Sequence, residues 1–161
     1  MLNLRPDFTY GISHHVVSGC ARFGVIDDTE QAQLIVATTT NKVIIHDNET
    51  VLNVNEKIRA LEVIKFDGIY DLIVVGTVCG ILVYDAYKNM TLIKRELTDG
   101  VNCLQVGKFH TYDKLIFCGG NCAIWGLDTK GNDAFWTVTG DNVLSLCLSD
   151  IDNDGVNEAC F

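Results

Sequence analysis

The chain has 161 residues, 48% hydrophobic and 20% charged, with a formal charge of −9 from 21 acids against 12 bases. That length is enough to bury the core of one domain, and the composition excludes a disordered chain. The acidic balance opposes attraction to nucleic acid or anionic lipid, and the apolar runs fall well short of the roughly 20 residues of a membrane-spanning helix.

The single proline is Pro6, and no long stretch carries helical periodicity. Short apolar runs rich in Val, Ile, Leu and Phe, bounded by Gly, Asn, Asp and Thr, have the pattern of strands. Phe8, Tyr10 and Ile12 alternate, which marks residues 1–15 as a candidate lone, ring-closing strand. Residues 16–26 form the next expected strand, and Asp27-Asp28-Thr29-Glu30 a polar turn.

Then comes QLIVATTTNKVIIHD at residues 33–47: a strand, a tight polar turn, a second strand and a closing aspartate. The unit returns as DLIVVGTVCGILVYD at 71–85 and KLIFCGGNCAIWGLD at 114–128. The starting positions 33, 71 and 114 give spacings of 38 and 43, and a fourth copy begins at Glu158. A period near 40 residues marks a repeat architecture.

A further strand is expected before each later unit, over residues 60–66, 101–109 and 143–148, and after each unit, over 50–54, 91–97 and 134–138. Four short antiparallel strands per repeat describe a propeller blade. The all-β reading is therefore a partial β-propeller, with blades over about 16–55, 58–98 and 100–140 and a fourth starting at 141–161. Closed propellers have four to eight blades, so about three and a half predict an unfinished ring, the N-terminal piece of a longer protein. Its open blade faces predict self-association of the isolated piece.

Seven cysteines (Cys20, Cys79, Cys103, Cys118, Cys122, Cys147, Cys160) sit in apolar segments, and the N-terminus lacks a basic-then-apolar export pattern. Reduced core thiols in a cytoplasmic protein follow, and the glycosylation patterns at Asn48 and Asn89 become chance matches. Cys118 and Cys122 flank a hairpin turn without the second ligand pair that zinc requires. Gly119-Gly120 lacks the lysine and helix of a phosphate loop. The histidines (His14, His15, His46, His110) are dispersed, and Tyr84, Tyr87, Trp125, Phe135 and Trp136 have the character of inter-blade packing, with room for one or two exposed partner anchors.

The sharpest local motif is Asp150-x-Asp152-x-Asp154-Gly155-x-x-Glu158. Alternating carboxylates with a glycine for the sharp turn are what a calcium loop requires, yet Phe161 stands where an EF-hand needs its twelfth-position glutamate. The shorter variant, closed by the acid at position nine, makes Asp150, Asp152, Asp154 and Glu158 a candidate structural calcium site. The alternative is a solvated turn, its Asp and Gly serving conformation alone.

GGNCAIWGLDTKGNDAFWTVTGDNV followed by SDIDNDGVNE resembles the Bardet–Biedl syndrome protein 2 family, with KVIIHD, LIVVGT and VYDAY agreeing upstream. The resemblance implies a seven-bladed propeller at the start of a non-enzymatic scaffold subunit of the BBSome. This coat-like adaptor carries membrane-protein cargo of cilia alongside intraflagellar transport, and is recruited to membranes by an Arf-like GTPase. The implied partners are the seventh and ninth Bardet–Biedl proteins and ciliary membrane cargo; the implied places are the cytoplasm, cilium and basal body. Two other readings stand beside it. LIVVGT and GILVYD resemble quinoprotein blades, which would make an enzyme, and the acidic loop resembles that of calcium-dependent integrin-like adhesion modules.

Overall fold

The computed structural model describes residues 9, 11–46 and 51–161 of the chain. Phe8 and Tyr10 of the expected first strand, the closing Asp47 of the first unit, and Asn48-Glu49-Thr50 lie outside the described residues, and Ile12 is in no strand.

All regular structure among the described residues is β. The first sheet holds β1 (Val16–Gly24), β2 (Gln33–Thr38), β3 (Lys42–Ile45) and β4 (Val51–Asn53). The second holds β5 (Ile58–Ile64), β6 (Leu72–Thr77), β7 (Gly80–Asp85) and β8 (Met90–Glu96). The third holds β9 (Cys103–Phe109), β10 (Tyr112–Gly119), β11 (Ala123–Leu127) and β12 (Asp133–Val138), and β13 (Cys147–Ser149) and β14 (Glu158–Cys160) pair as a hairpin. Each strand pairs antiparallel with its neighbour in the chain, so every four-stranded sheet is a simple meander. This is a partial propeller, and the repeated fifteen-residue units supply the two middle strands of each sheet.

The middle strands are continuously apolar because both of their faces are covered. All six residues of β6 are buried. Leu72 and Val74 turn toward the third sheet, in a cluster with Ile116 and Cys118. Ile73 and Val75 turn toward the first, meeting Ile35 and Ala37. A third cluster, around Leu115 and Phe117, reaches Val143, Leu146 and the β13–β14 hairpin. The leading strands β1, β5, β9 and β13 come side by side along one edge of the stack.

One packing device recurs. A Cβ on Gly76 would stand 2.6 Å from Val101 Cγ1, and one on Gly119 would stand 2.6 Å from Val143 Cγ1. Each valine comes from the connection leading to the next sheet, and its amide bonds back to the sheet it plugs: Val101 N to Thr77 O at 2.8 Å, Val143 N to Gly120 O at 2.9 Å. The strand expected over 143–148 therefore begins only at Cys147. Val143 and Leu146 are apolar because they are core plugs, 4% and 8% exposed, and not because they join a ladder.

The hairpin turns inside the units differ in length. Thr38 Oγ1 accepts from Lys42 N and donates to Lys42 O, while Thr77 Oγ1 does the same with Gly80 N and O. Three residues separate β2 from β3 and two separate β6 from β7. The first strand of the first unit is thus offset by one from the motif alignment. At the other end of the units the aspartates cap turns. Asp85 Oδ1 accepts from Lys88 N at 2.9 Å, and Asp128 Oδ1 from Lys130 N and Asn132 N at 2.9 and 2.8 Å. Desolvation pushes the Asp128 carboxyl up, but those bonds, the Asn132 side chain and the Lys130 charge outweigh it and hold the group below its ordinary value.

Candidate functional site

The acidic motif occupies the connection between β13 and β14, whose register pairs Ser149 with Glu158 at the mouth of the loop. Two residues take the left-handed backbone that folds it tightly: Asn153 at φ 61° and Gly155 at φ 88°. The carboxylates then organise the backbone. Asp150 accepts from Asp154 N at 3.1 Å and Gly155 N at 2.9 Å, Asp152 from Asp154 N at 3.2 Å, and Glu158 from Ile151 N at 2.7 Å. Asn157 Nδ2 donates to Lys108 O at 2.9 Å, fastening the loop to the third sheet.

Of the four expected ligands, three come together. Asp150, Asp152 and Glu158 each offer a carboxylate oxygen, and these oxygens lie within 4.8 Å of one another. Oxygens on opposite sides of a calcium ion, each at 2.3–2.6 Å, stand about 5 Å apart, so this spacing and an all-oxygen donor set fit a hard cation. Asp154 is not one of the group; its Oδ1 accepts from Val156 N at 2.8 Å. Among the described residues no cluster of metal-ligating type contains a cysteine or histidine.

The thiol reading needs correction. All seven cysteines are free, but only Cys20 and Cys118 are buried, while Cys79, Cys122 and Cys147 are exposed on turns and an edge. Burial pushes the Cys103 thiol up to about 11 and that of the fully enclosed Cys118 further still. Cys118 faces the core opposite Trp125, and Cys122 lies in the exposed turn. The amide of Gly120 is spent on Ala123 O at 2.8 Å inside that turn. The aromatic residues also divide. Tyr84 is buried, and Phe135 packs edge-on against Phe109 and at a tilt against Phe117. Tyr87 and Trp136, by contrast, are each 53% exposed. Tyr87 lies tilted against Tyr70, ring centroids 4.6 Å apart, and joins Phe66, Ile69 and Leu92 around an open cavity of about 580 Å³. Sequence reasoning also missed a hollow at one end of the leading strands, around Arg59 and Asn102. Its residues come from five distant segments, so no local pattern announces it.

Residues 25–107 match the family profile described as "Ciliary BBSome complex subunit 2, N-terminal". The chain is 40% identical to "BBSome complex member bbs-2" of Caenorhabditis elegans, over 94% of its own length and 21% of the relative. It is 37% identical to "BBSome complex member BBS2" of Mus musculus and 36% to that of Homo sapiens, each over 96% of its length and 24% of the relative. The chain thus spans about a fifth to a quarter of the length of the curated relatives it matches.

Proposed function

The chain belongs to the family of ciliary BBSome complex subunit 2, N-terminal, and from that premise we propose that it is the propeller part of a non-catalytic BBSome scaffold subunit. The observation that carries this reading is the match to BBSome complex members over 94–96% of the chain. In this role the propeller contacts neighbouring subunits, the seventh and ninth Bardet–Biedl proteins, and through the complex serves membrane-protein cargo of the cilium. The protein would work in the cytoplasm, at the cilium and at the basal body. Exposed Tyr87 and Trp136 support a contact role, since aromatic anchors dominate binding energy at interfaces. Neither the quinoprotein-like nor the adhesion reading draws support from the matched relatives. The test is affinity purification of the tagged whole protein from ciliated cells. Co-elution of the seventh and ninth proteins at near-equal amounts is expected; elution without them overturns the reading.

The acidic loop adds a structural calcium to this proposal, held by Asp150, Asp152 and Glu158. What supports it is their convergence within 4.8 Å on an all-oxygen donor set. The ion would offset the mutual repulsion of three carboxylates and brace the β13–β14 stem.

A further inference from the structure

The described arginines differ in how their charge is met. Arg22 Nε binds Glu62 at 2.9 Å, and its Nη1 donates to the carbonyls of Gly19 and Ala21. Arg95 binds Asp133 at 2.7 Å, donates to Gly131 O at 2.8 Å and lies over the Trp125 ring. Arg59, half-buried on β5, has one side-chain hydrogen bond, from Nη1 to the neutral Oδ1 of Asn102, and no carboxylate partner among the described residues. Asn102 in turn donates through Nδ2 to Asn121 Oδ1 at 3.2 Å. The guanidinium thus polarises a chain of two amides whose last N–H₂ group, on Asn121, has no protein acceptor among the described residues.

These groups share one hollow of about 450 Å³, lined among others by Lys57, Arg59, Asn102, Asn121, Asn142 and Leu144. Lys57 is exposed and its ammonium has no ion-pair partner among the described residues. The hollow therefore presents two cations and three amides with no Asp or Glu in its wall, on a chain with 21 acids and 12 bases. Asn142 donates to Asp141 Oδ1 at 3.3 Å, and that carboxylate lies outside the lining. Beside the cations stands Leu144, 81% exposed. A planar guanidinium fork with amide donors suits a carboxylate, and an apolar rim suits a peptide's neighbouring side chains.

We propose that this hollow is a binding site for an acidic peptide segment of a protein partner, with Arg59 and Lys57 receiving its side-chain carboxylates. Asn102 holds the Arg59 fork in place, and Asn121 extends the donor surface.

The probe is fluorescein-labelled hexaglutamate, titrated with the whole protein by fluorescence anisotropy at about 50 mM salt. Binding is expected, weakened about tenfold by Arg59→Gln and several-fold by Lys57→Gln, and lost at about 500 mM salt, where charge contacts are screened. Melting curves check that Arg59→Gln still folds, and the exposed Lys57 keeps the test usable if it does not. Inorganic phosphate should compete only at far higher concentration than unlabelled peptide. Absence of peptide binding, or equal affinity for wild type and both variants, overturns the proposal. So does phosphate competing as well as the peptide, which would make the hollow a small-anion site.

Discussion

The second sheet and the β13–β14 hairpin follow one sequence rule but are held in different ways. In the second sheet β6 is buried at every residue, and its two faces belong to two separate apolar clusters. The hairpin has three register pairs, with only Leu148 and Ala159 joining the core cluster. Its shape comes from polar bonds inside the acidic loop. Packing stabilises the first and hydrogen bonding orders the second, so perturbations should separate them.

The largest effect belongs to the packed side. Phe117 is fully buried and meets Phe109 and Phe135 edge-on at 5.1 Å and at a tilt at 5.9 Å. Phe117→Ala should destabilise by about 3–5 kcal/mol in urea unfolding. Next is the glycine under its valine plug. Gly76→Val places a branched side chain where even a Cβ would lie 2.6 Å from Val101, and should cost about 1–3 kcal/mol. Gly11→Ala, where a Cβ meets nothing within 4 Å, should leave the unfolding midpoint unchanged. Equal midpoints for Gly76→Val and Gly11→Ala would contradict the plug.

A smaller effect lies in the capped turns. Because the Asp128 carboxyl is held below its ordinary value, the folded state gains stability from its charge. That gain is complete above the unfolded value of about 3.9 and disappears as pH falls through the lower folded value. The difference between wild type and Asp128→Asn should be constant from pH 7 to about pH 5 and vanish in stronger acid. Exposure of the turn keeps it small. A difference growing as pH falls would reverse the sign and refute the capping account.

Strands such as 72–77 and 115–119 were legible in the sequence because burial on both faces demands unbroken apolar residues. Residues 143–146 carry the same composition for another reason, since a plug and a strand both need apolar side chains and differ only in whether a ladder partner stands beside them. The one-residue offset of the first unit was hidden because motif spacing counts residues, whereas register is set by turn length. In the loop, D-x-D-x-D-G-x-x-E suggested four converging acids, but the left-handed turn at Asn153 breaks the alternation and leaves Asp154 aside. The Arg59 hollow was illegible for a simpler reason: its donors lie on segments around 57–59, 102, 121 and 142, which only the assembled sheets bring together.

The smallest global effect, and the one most specific to the hairpin, concerns calcium. Asp150 accepts one backbone amide on each carboxylate oxygen and also stands in the carboxylate group, so Asp150→Asn removes one negative charge and keeps one of those two acceptors. Without calcium this variant should melt within about 1 °C of wild type, because the hairpin lends little packing to the cooperative core. With millimolar calcium wild type should bind with measurable heat and the loop amides of Asp154 and Gly155 should exchange more slowly, and both responses should be lost in Asp150→Asn. Magnesium should substitute poorly, since it demands a tighter octahedral shell that this exposed three-carboxylate group does not enforce. Should wild type give neither heat nor slowed exchange, the loop is ordered by its own hydrogen bonds, and the contrast between the two regions becomes one of packing against polar bonding alone.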